Sequence, residues 1–411
     1  MNDTPARSKS PILLFGIFLV SRVLYMFLSS KDWIYDQFEY GAISQHFLRT
    51  GRLLYTWCGK DMPTAYFPPA LIFLFSFFNK YCAAHLFLAF AIFNLLTACV
   101  GFFVFRKLSS RLLSERAALY ALCLYVLDLN MFSVMRWANE TFYTTVLVSA
   151  LWIALANVYA EKNKRNLTLL GISLGIGLWF REIFLVYCFF VLLFLLARKS
   201  SWKECLRVLL IAAVLIAPWT IRNYLVTGKF IPVCNQLGSN IWEGWNPDSV
   251  GAMFKWDGSP IFEEPALVAK LSAAKDEAEV QSTYTKYSIQ CALDNPLRWV
   301  KQRVLGTFFF WSGQSLWAPK NHYHTRKNII AGIYNLVLIG VFFLSLPLAW
   351  RYKPIFKGMI AFVFLHSSIY MAIHADVGNR YRIQIEPLIL LMIAIALDHW
   401  SQSCRKVSRE G

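Results

Sequence analysis

Long apolar runs separated by short polar clusters dominate the chain, and the length of each run limits what it can form. Crossing the hydrocarbon of a bilayer takes a helix of about 20 mostly apolar residues. Runs of this kind lie at roughly 11–29, 82–105, 117–135, 141–160, 167–180, 183–197, 207–223, 328–350, 358–374 and 384–400. The pattern predicts an all-α polytopic membrane protein with about ten transmembrane helices. The first run, Pro11 to Ser29, is apolar apart from Arg22, exceeds a typical signal-peptide core and lacks an A-x-A-like cleavage site, so it reads as a retained first span.

Lys and Arg in short connections are retained on the cytoplasmic side during insertion. Segments 1–10, 106–116, 161–165, 198–207, 351–357 and 401–411 carry 19 of them, whereas 30–66, 135–140, 181–182 and 375–385 carry 8. The first set is expected inside, with both termini cytoplasmic. Residues 166–197 test this orientation. At about 1.5 Å per residue they reach roughly 48 Å, short of the roughly 60 Å that two crossings of a 30 Å core require. A single crossing would place one flanking cluster, Lys162/Lys164/Arg165 or Arg198/Lys199/Lys203/Arg207, on the wrong side. The expectation is a shortened hairpin whose tip, Arg181-Glu182, sits below the outer interface, where charge survives only in a bundle interior or a wet cavity.

Two outward segments exceed simple turns. Residues 30–81 contain Asp32, Asp36, Glu39 and Asp61 and the run PTAYFPPALIFLFSFF, whose apolar part 69–78 is too short to cross and is expected to lie in the interface. Residues 224–327 open with GSNIWEGWNP, continue with helical spacing from Ala266 to Val304 and end in the aromatic run FFFWSGQSLW. No internal repeat or low-complexity linker is evident. The organisation expected is one membrane domain, 1–411, with an outer cap built from these two loops.

Composition agrees with this picture and narrows it. The chain is 57% hydrophobic, 17% aromatic and only 16% charged, with a mean hydropathy of +0.44. These values exclude a disordered chain, a coiled coil and an ordinary cytosolic enzyme. The net charge of +17 would suggest nucleic acid in a soluble protein. Here the inside segments hold 19 Lys and Arg against five acids, so the excess is a topology signal and no nucleic-acid partner is expected. Nine scattered cysteines without a CxxC pair argue against a structural zinc site or a disulfide framework. There is no P-loop, no GxGxxG after a strand and no HExxH. His322-x-His324 reads as a surface pair, and Asn139-Glu-Thr141 and Asn166-Leu-Thr168 match the N-glycosylation pattern, the second at a predicted cytoplasmic end.

Several polar residues are placed to do chemistry. Asp36 lies just beyond the first span in KDWIYDQFEYGAISQHF, and on a helix it shares a face with Tyr40. It reads either as a solvated loop acid or as a general base for an acceptor hydroxyl. Glu140 heads an apolar span, so Asn139 or Glu140 can cap that helix, or the carboxylate can face a substrate. Asp128 sits inside a span, about twelve residues from its cytoplasmic end. Buried ionisable residues of that kind face a bundle interior. Arg222 in PWTIRNY and Arg380 and Arg382 in GNRYRIQIEP face outward against the orientation bias, and Lys60 is a lesser cation of the same type. An arginine fork suits a phosphate, a lipid headgroup or a carboxylate.

The order of these segments resembles the polytopic GT-C glycosyltransferases that use lipid-phosphate sugars, among them the protein O-mannosyltransferases (glycosyltransferase family 39) and the aminoarabinose transferase of lipid A. The likeness covers nearly the whole chain. It rests on Asp36 with Tyr40, PTAYFPPALIFLF with Tyr66, NETFYTTVLVSALWIAL, GISLGIGLWFREIFL with Arg181 and Glu182, PWTIRNYLVTGKFIPV with SNIWEGWNP, DNPLRWVKQRVLGTFFFW and GNRYRIQIEPLILL. The resemblance implies an inverting sugar transfer on the outer, periplasmic face of a bacterial inner membrane. Its donor would be a polyprenyl-phosphate sugar and its acceptor a glycolipid, glycan or protein hydroxyl. It makes Asp36 the general base, Glu140 a second acid, and Arg222, Arg380, Arg382 and Lys60 the groups that neutralise the leaving phosphate. Tyr40, Tyr66, Arg181, Glu182 and Asp128 are further cavity candidates. Gln37 stands where many such enzymes have a second acid or a small polar residue after the aspartate, which argues against a metal-assisted mechanism, and no cofactor beyond the lipid-linked sugar is expected. A carrier of lipid-linked glycans, or a polymerase or ligase moving a whole glycan, would share the phosphate-binding cations.

Overall fold

The computed structural model describes residues 10–28, 37–135, 139–249, 261–312, 326–373 and 380–410. Asp36 and the His322-x-His324 pair lie outside them. From the N-terminus the elements are α1 (Ser10–Leu28), α2 (Ala42–Thr50), β1 (Leu54–Trp57), β2 (Lys60–Pro63), α3 (Pro69–Tyr81), α4 (Leu86–Leu112), α5 (Glu115–Leu127), α6 (Leu129–Met135), α7 (Glu140–Ala160), α8 (Lys164–Phe180) and α9 (Phe184–Ala197). There follow α10 (Trp202–Thr227), α11 (Leu237–Trp245), α12 (Pro265–Ser272), α13 (Glu277–Asp294), α14 (Pro296–Ser312), α15 (Arg326–Tyr352), α16 (Pro354–Ile373), α17 (Arg380–Ile383) and α18 (Glu386–Glu410).

The chain is a multi-pass membrane protein. Among the described residues seven helices, α1, α4, α7, α10, α15, α16 and α18, are long and apolar enough to cross a bilayer, and α5 with α6 makes an eighth as a pair bent by 48°. The bend has a local cause. Asp128 leaves the helical conformation, and its carboxylate accepts the Asn130 backbone N–H at 3.0 Å, restarting the helix as α6. The short stretch 166–197 forms the expected hairpin, with helices of 17 and 14 residues turning at Arg181-Glu182. Gly171 and Gly175 explain how α8 lies so close to α10, since a Cβ at either would fall 2.8 Å or less from Val208, Ile211 or Leu215.

The basic connections gather at one end of the bundle. There Lys353 donates to the Leu112 carbonyl at 2.7 Å, Arg116 pairs with Asp398 at 3.3 Å and Lys162 with Glu204 at 3.3 Å. The opposite end carries the two long segments. In the first, α3 begins with Pro69 at its first position and buries Leu71, Ile72, Phe75 and Phe78. The antiparallel hairpin β1–β2, with Leu54 opposite Pro63 and Trp57 opposite Lys60, was not expected. Its two-residue turn is Cys58-Gly59, both at positive φ (46° and 79°), the geometry that suits the twist of a tight hairpin. In the second segment α11 packs on α13, with Trp242 fully buried and its indole N–H donating to the Ile261 carbonyl at 3.2 Å.

Candidate active site

Glu140 is the first residue of α7, and it does not cap that helix. Asn139 does, its side chain accepting the Thr141 N–H at 3.0 Å. Asn139 is itself buried, which puts the first glycosylation-type motif inside the protein. With the capping filled, the Glu140 carboxylate, 4% exposed, turns to the interior of the bundle end. Arg181 at the tip of the α8–α9 hairpin and Arg380 at the head of α17 both donate to its Oε1. The Tyr40 hydroxyl donates to Oε2 at 3.1 Å. Arg380 also reaches Thr141 Oγ1 at 3.3 Å, and Arg181 lies over the rings of Tyr381 and Tyr370 at 5.0 and 5.8 Å, which stack on each other at 4.3 Å.

In this cluster one carboxylate sits between two guanidiniums in a desolvated place, and the charges of Glu182 on Arg181, Glu39 on Tyr40 and Glu243 on Tyr381 act on the same groups. Arg181 Nε is buried with no hydrogen-bond partner among the described residues. Burial, then the neighbouring Glu140 carboxylate, pushes the Tyr40 phenol well above its ordinary pKa, so it stays a hydrogen-bond donor. Burial, the largest single influence, opposes the charge on Arg380, but the Glu140 charge, Tyr381 and the Glu140 hydrogen bond together outweigh it and raise the guanidinium's pKa. Tyr40 belongs to a π-helical turn, Gln37–Gly41, that begins one residue after Asp36.

The other predicted cations divide among different places. Arg382 faces away from the Glu140 cluster and is fully buried, donating to the Trp311 carbonyl at 2.6 Å and to Asn335, with Glu386 at 3.7 Å. Asp128 belongs to the same internal network. Tyr334 donates to it at 3.1 Å, and Asn130 bridges Glu386 and Asn335 at 2.6 and 2.8 Å. Lys60 donates to the Ser272 carbonyl at 2.6 Å and joins β2 to the end of α12. Arg222 donates to the Thr64 carbonyl and lies 5.0 Å from the Trp219 ring. It lines a cavity of about 650 Å³ with Arg52, Trp179, Trp219, Phe47 and Phe73. Tyr66 bonds Ser239 of α11 at 2.8 Å, and burial first, then Glu39 and Glu243, raises its phenol well above the usual range. Glu182 accepts from the Cys234 thiol at 3.7 Å.

Glu277 is the residue that sequence reading missed. It looks like an ordinary first-turn acid of α13, whose cap is Asp276. In the structure it is 2% exposed, accepts from the Thr64 hydroxyl, and takes the Ala65 N–H at 2.9 Å. It therefore ties the two long segments together beside Arg222. Burial pushes its pKa up to about 7, against the lowering effect of its hydrogen bonds to Thr64 and Ala65. A carboxyl whose folded pKa is raised holds its proton in the folded state while the unfolded state loses it. Its contribution is full below about 4.5, the unfolded value, and is lost as pH rises to about 7. The expected result is a fall of about 3 kcal/mol in stability across that window. Unfolding of the detergent-solubilised protein should show it, and Glu277→Gln should remove that slope; an unchanged slope in the variant counts against this account.

Among the described residues no three His, Cys, Asp or Glu side chains are grouped to hold a metal ion.

Comparison with known proteins bears on this arrangement. The family described as dolichyl-phosphate-mannose-protein mannosyltransferase matches residues 65–221. None of the curated proteins matches the chain. Among solved structures, the oligosaccharyltransferase AglB of Archaeoglobus fulgidus, in complex with an inhibitory peptide and a dolichol-phosphate, is 14% identical with a TM-score of 0.55 over 97% of this chain. The same archaeal enzyme tethered to an acceptor peptide gives 0.52 over 95%. ArnT of Cupriavidus metallidurans bound to undecaprenyl phosphate is 12% identical with a TM-score of 0.44, over 96% of this chain and 78% of its own. The chain spans about half the length of the archaeal structures, 50% and 52%. The fold is thus the GT-C membrane fold that the segment order resembles.

Proposed function

We propose that the chain is a membrane glycosyltransferase that moves a sugar from a polyprenyl-phosphate carrier to an acceptor hydroxyl, with inversion, on the outer, periplasmic face of a bacterial inner membrane. The observation that carries this reading is the doubly clamped Glu140. Its two arginines, one with a donor unpartnered among the described residues, meet in a desolvated site that is hydrogen-bonded to Tyr40, four residues after Asp36 in the chain. The family match, and the dolichol-phosphate held by the archaeal enzyme of the same fold, support a lipid-phosphate donor.

In this reading the acceptor oxygen attacks the anomeric carbon and the bond from that carbon to the phosphate oxygen breaks. The polyprenyl phosphate leaves with the electron pair, and Asp36 takes the hydroxyl proton. Arg380 and Arg181 stabilise charge developing on the leaving phosphate, because donors fixed in a dry site need no reorganisation. Glu140 holds those two forks in place, and Arg222 with Arg52 offers a second cationic wall at the 650 Å³ cavity. Arg382 and Lys60 are taken up by contacts within the protein, with Trp311, Asn335 and Glu386 for the first and the Ser272 carbonyl for the second.

Asp36→Asn tests the assignment. The variant should insert and purify as wild type, with turnover of a polyprenyl-phosphate sugar in detergent reduced by a factor of about 10²–10⁴, the usual worth of a general base. Near-normal turnover would sink the assignment. A passive carrier of glycan lipids would have no turnover to lose.

A further inference from the structure

We propose that the cleft at the α4–α5 turn, at the basic end of the bundle and opposite the Glu140 cluster, binds the headgroup of an acidic phospholipid. The cleft has a volume of about 540 Å³ and is walled by α1, α4 and α5. Two guanidiniums line it, Arg106 from the last turns of α4 and Arg116 from the first turn of α5, with the Ser109 hydroxyl on the α4 side. Asp398 holds Arg116 through Nε at 3.3 Å, and Tyr120 accepts from its Nη2 at 3.2 Å, so the fork is pre-oriented. Arg106 is exposed and has no ion pair with any described residue. Glu115 is the one acid among the lining residues, and the exposed Lys107 and Arg111 on the same turns keep the surroundings basic.

The rest of the wall decides between a lipid and a free anion. Leu119 and Leu122 continue the cleft along α5 toward the hydrocarbon, so a cationic rim stands above an apolar channel. A phosphodiester with acyl chains satisfies both parts, whereas a soluble anion leaves the apolar wall in water. The site shares no residue with the proposed transfer centre, and the two readings fail independently.

The experiment uses the full chain purified in detergent, with native mass spectrometry and thermal unfolding in the presence of phosphatidylglycerol, phosphatidylcholine or inorganic phosphate. Phosphatidylglycerol should remain bound and raise the unfolding midpoint, while the other two should not. Arg106→Gln should weaken phosphatidylglycerol binding roughly tenfold, the loss of one charge-assisted contact, and Arg106→Lys should restore part of it. Equal retention of phosphatidylcholine, an equal response to inorganic phosphate, or unchanged binding in Arg106→Gln would each overturn the proposal.

Discussion

Replacing Glu140 with alanine is expected to destabilise the folded protein by about 3–5 kcal/mol, the magnitude seen when one partner of a buried ion pair is removed. The effect is large because one carboxylate serves two cations. Arg181, with a side chain 5% exposed, and Arg380, 24% exposed, would face each other with no counter-charge between them, and the buried Tyr40 hydroxyl would lose its acceptor. Like charges in a desolvated site repel strongly, and neither guanidinium can deprotonate to escape. Glu140→Gln keeps the shape and one acceptor but not the charge, so it should fall between wild type and the alanine variant. The measurement is the unfolding midpoint in detergent by tryptophan fluorescence, with Arg181→Met as the second arm. Glu140→Ala combined with Arg181→Met should be less damaged than the sum of the two single changes, because one unpaired charge has left with its partner. Additive losses would mean that the pair does not interact and that water screens the cluster.

The same residues show which parts of the molecule could be read from the chain. Seven of the ten expected runs are legible as spans because each is a long apolar run with polar ends, the run 117–135 is broken at Asp128, and the short hairpin at Arg181-Glu182 followed from length and charge placement alone. Ion pairing was not legible. Glu140 meets a partner 41 residues away and another 240 residues away, and no spacing rule spans such distances. Arg380 and Arg382 looked like a pair in sequence. Two residues along a helical turn rotate the side chain by roughly 200°, so the first reaches Glu140 and the second is directed into the Asp128–Glu386 network. Asp128 could be singled out as an ionisable residue in a span, whereas its role in breaking that span required the position of Asn130. Glu277 carried no signal, since a buried strut and a solvated first-turn acid have the same local sequence.

Gly238→Ala is the change expected to damage the long-segment end most without touching a charge. A Cβ built on Gly238 would lie 2.0 Å from the Gln281 carbonyl oxygen, 2.8 Å from its carbon and 3.0 Å from its Cα, all of them backbone atoms of α13. No side chain can rotate to relieve this contact, so α11 must move off α13. That movement pulls on everything α11 holds. Ser239 donates its N–H to Gln281 Oε1 at 2.9 Å and bonds Tyr66 through its hydroxyl, Trp242 is anchored to Ile261, and the Trp245 indole donates to the Ala372 carbonyl near the end of α16 at 2.8 Å. The expected loss is at the upper end of the roughly 1–3 kcal/mol typical of overpacking. It should be accompanied by faster proteolytic cleavage within 224–327. Gly340→Ala in α15 supplies the control, because nothing lies within 4 Å of its added Cβ. Replacing a mid-helix glycine by alanine there should be neutral or stabilising by about 0.5–1 kcal/mol. If the two alanine variants unfold and are cleaved alike, the backbone contact between α11 and α13 does not hold the two helices together.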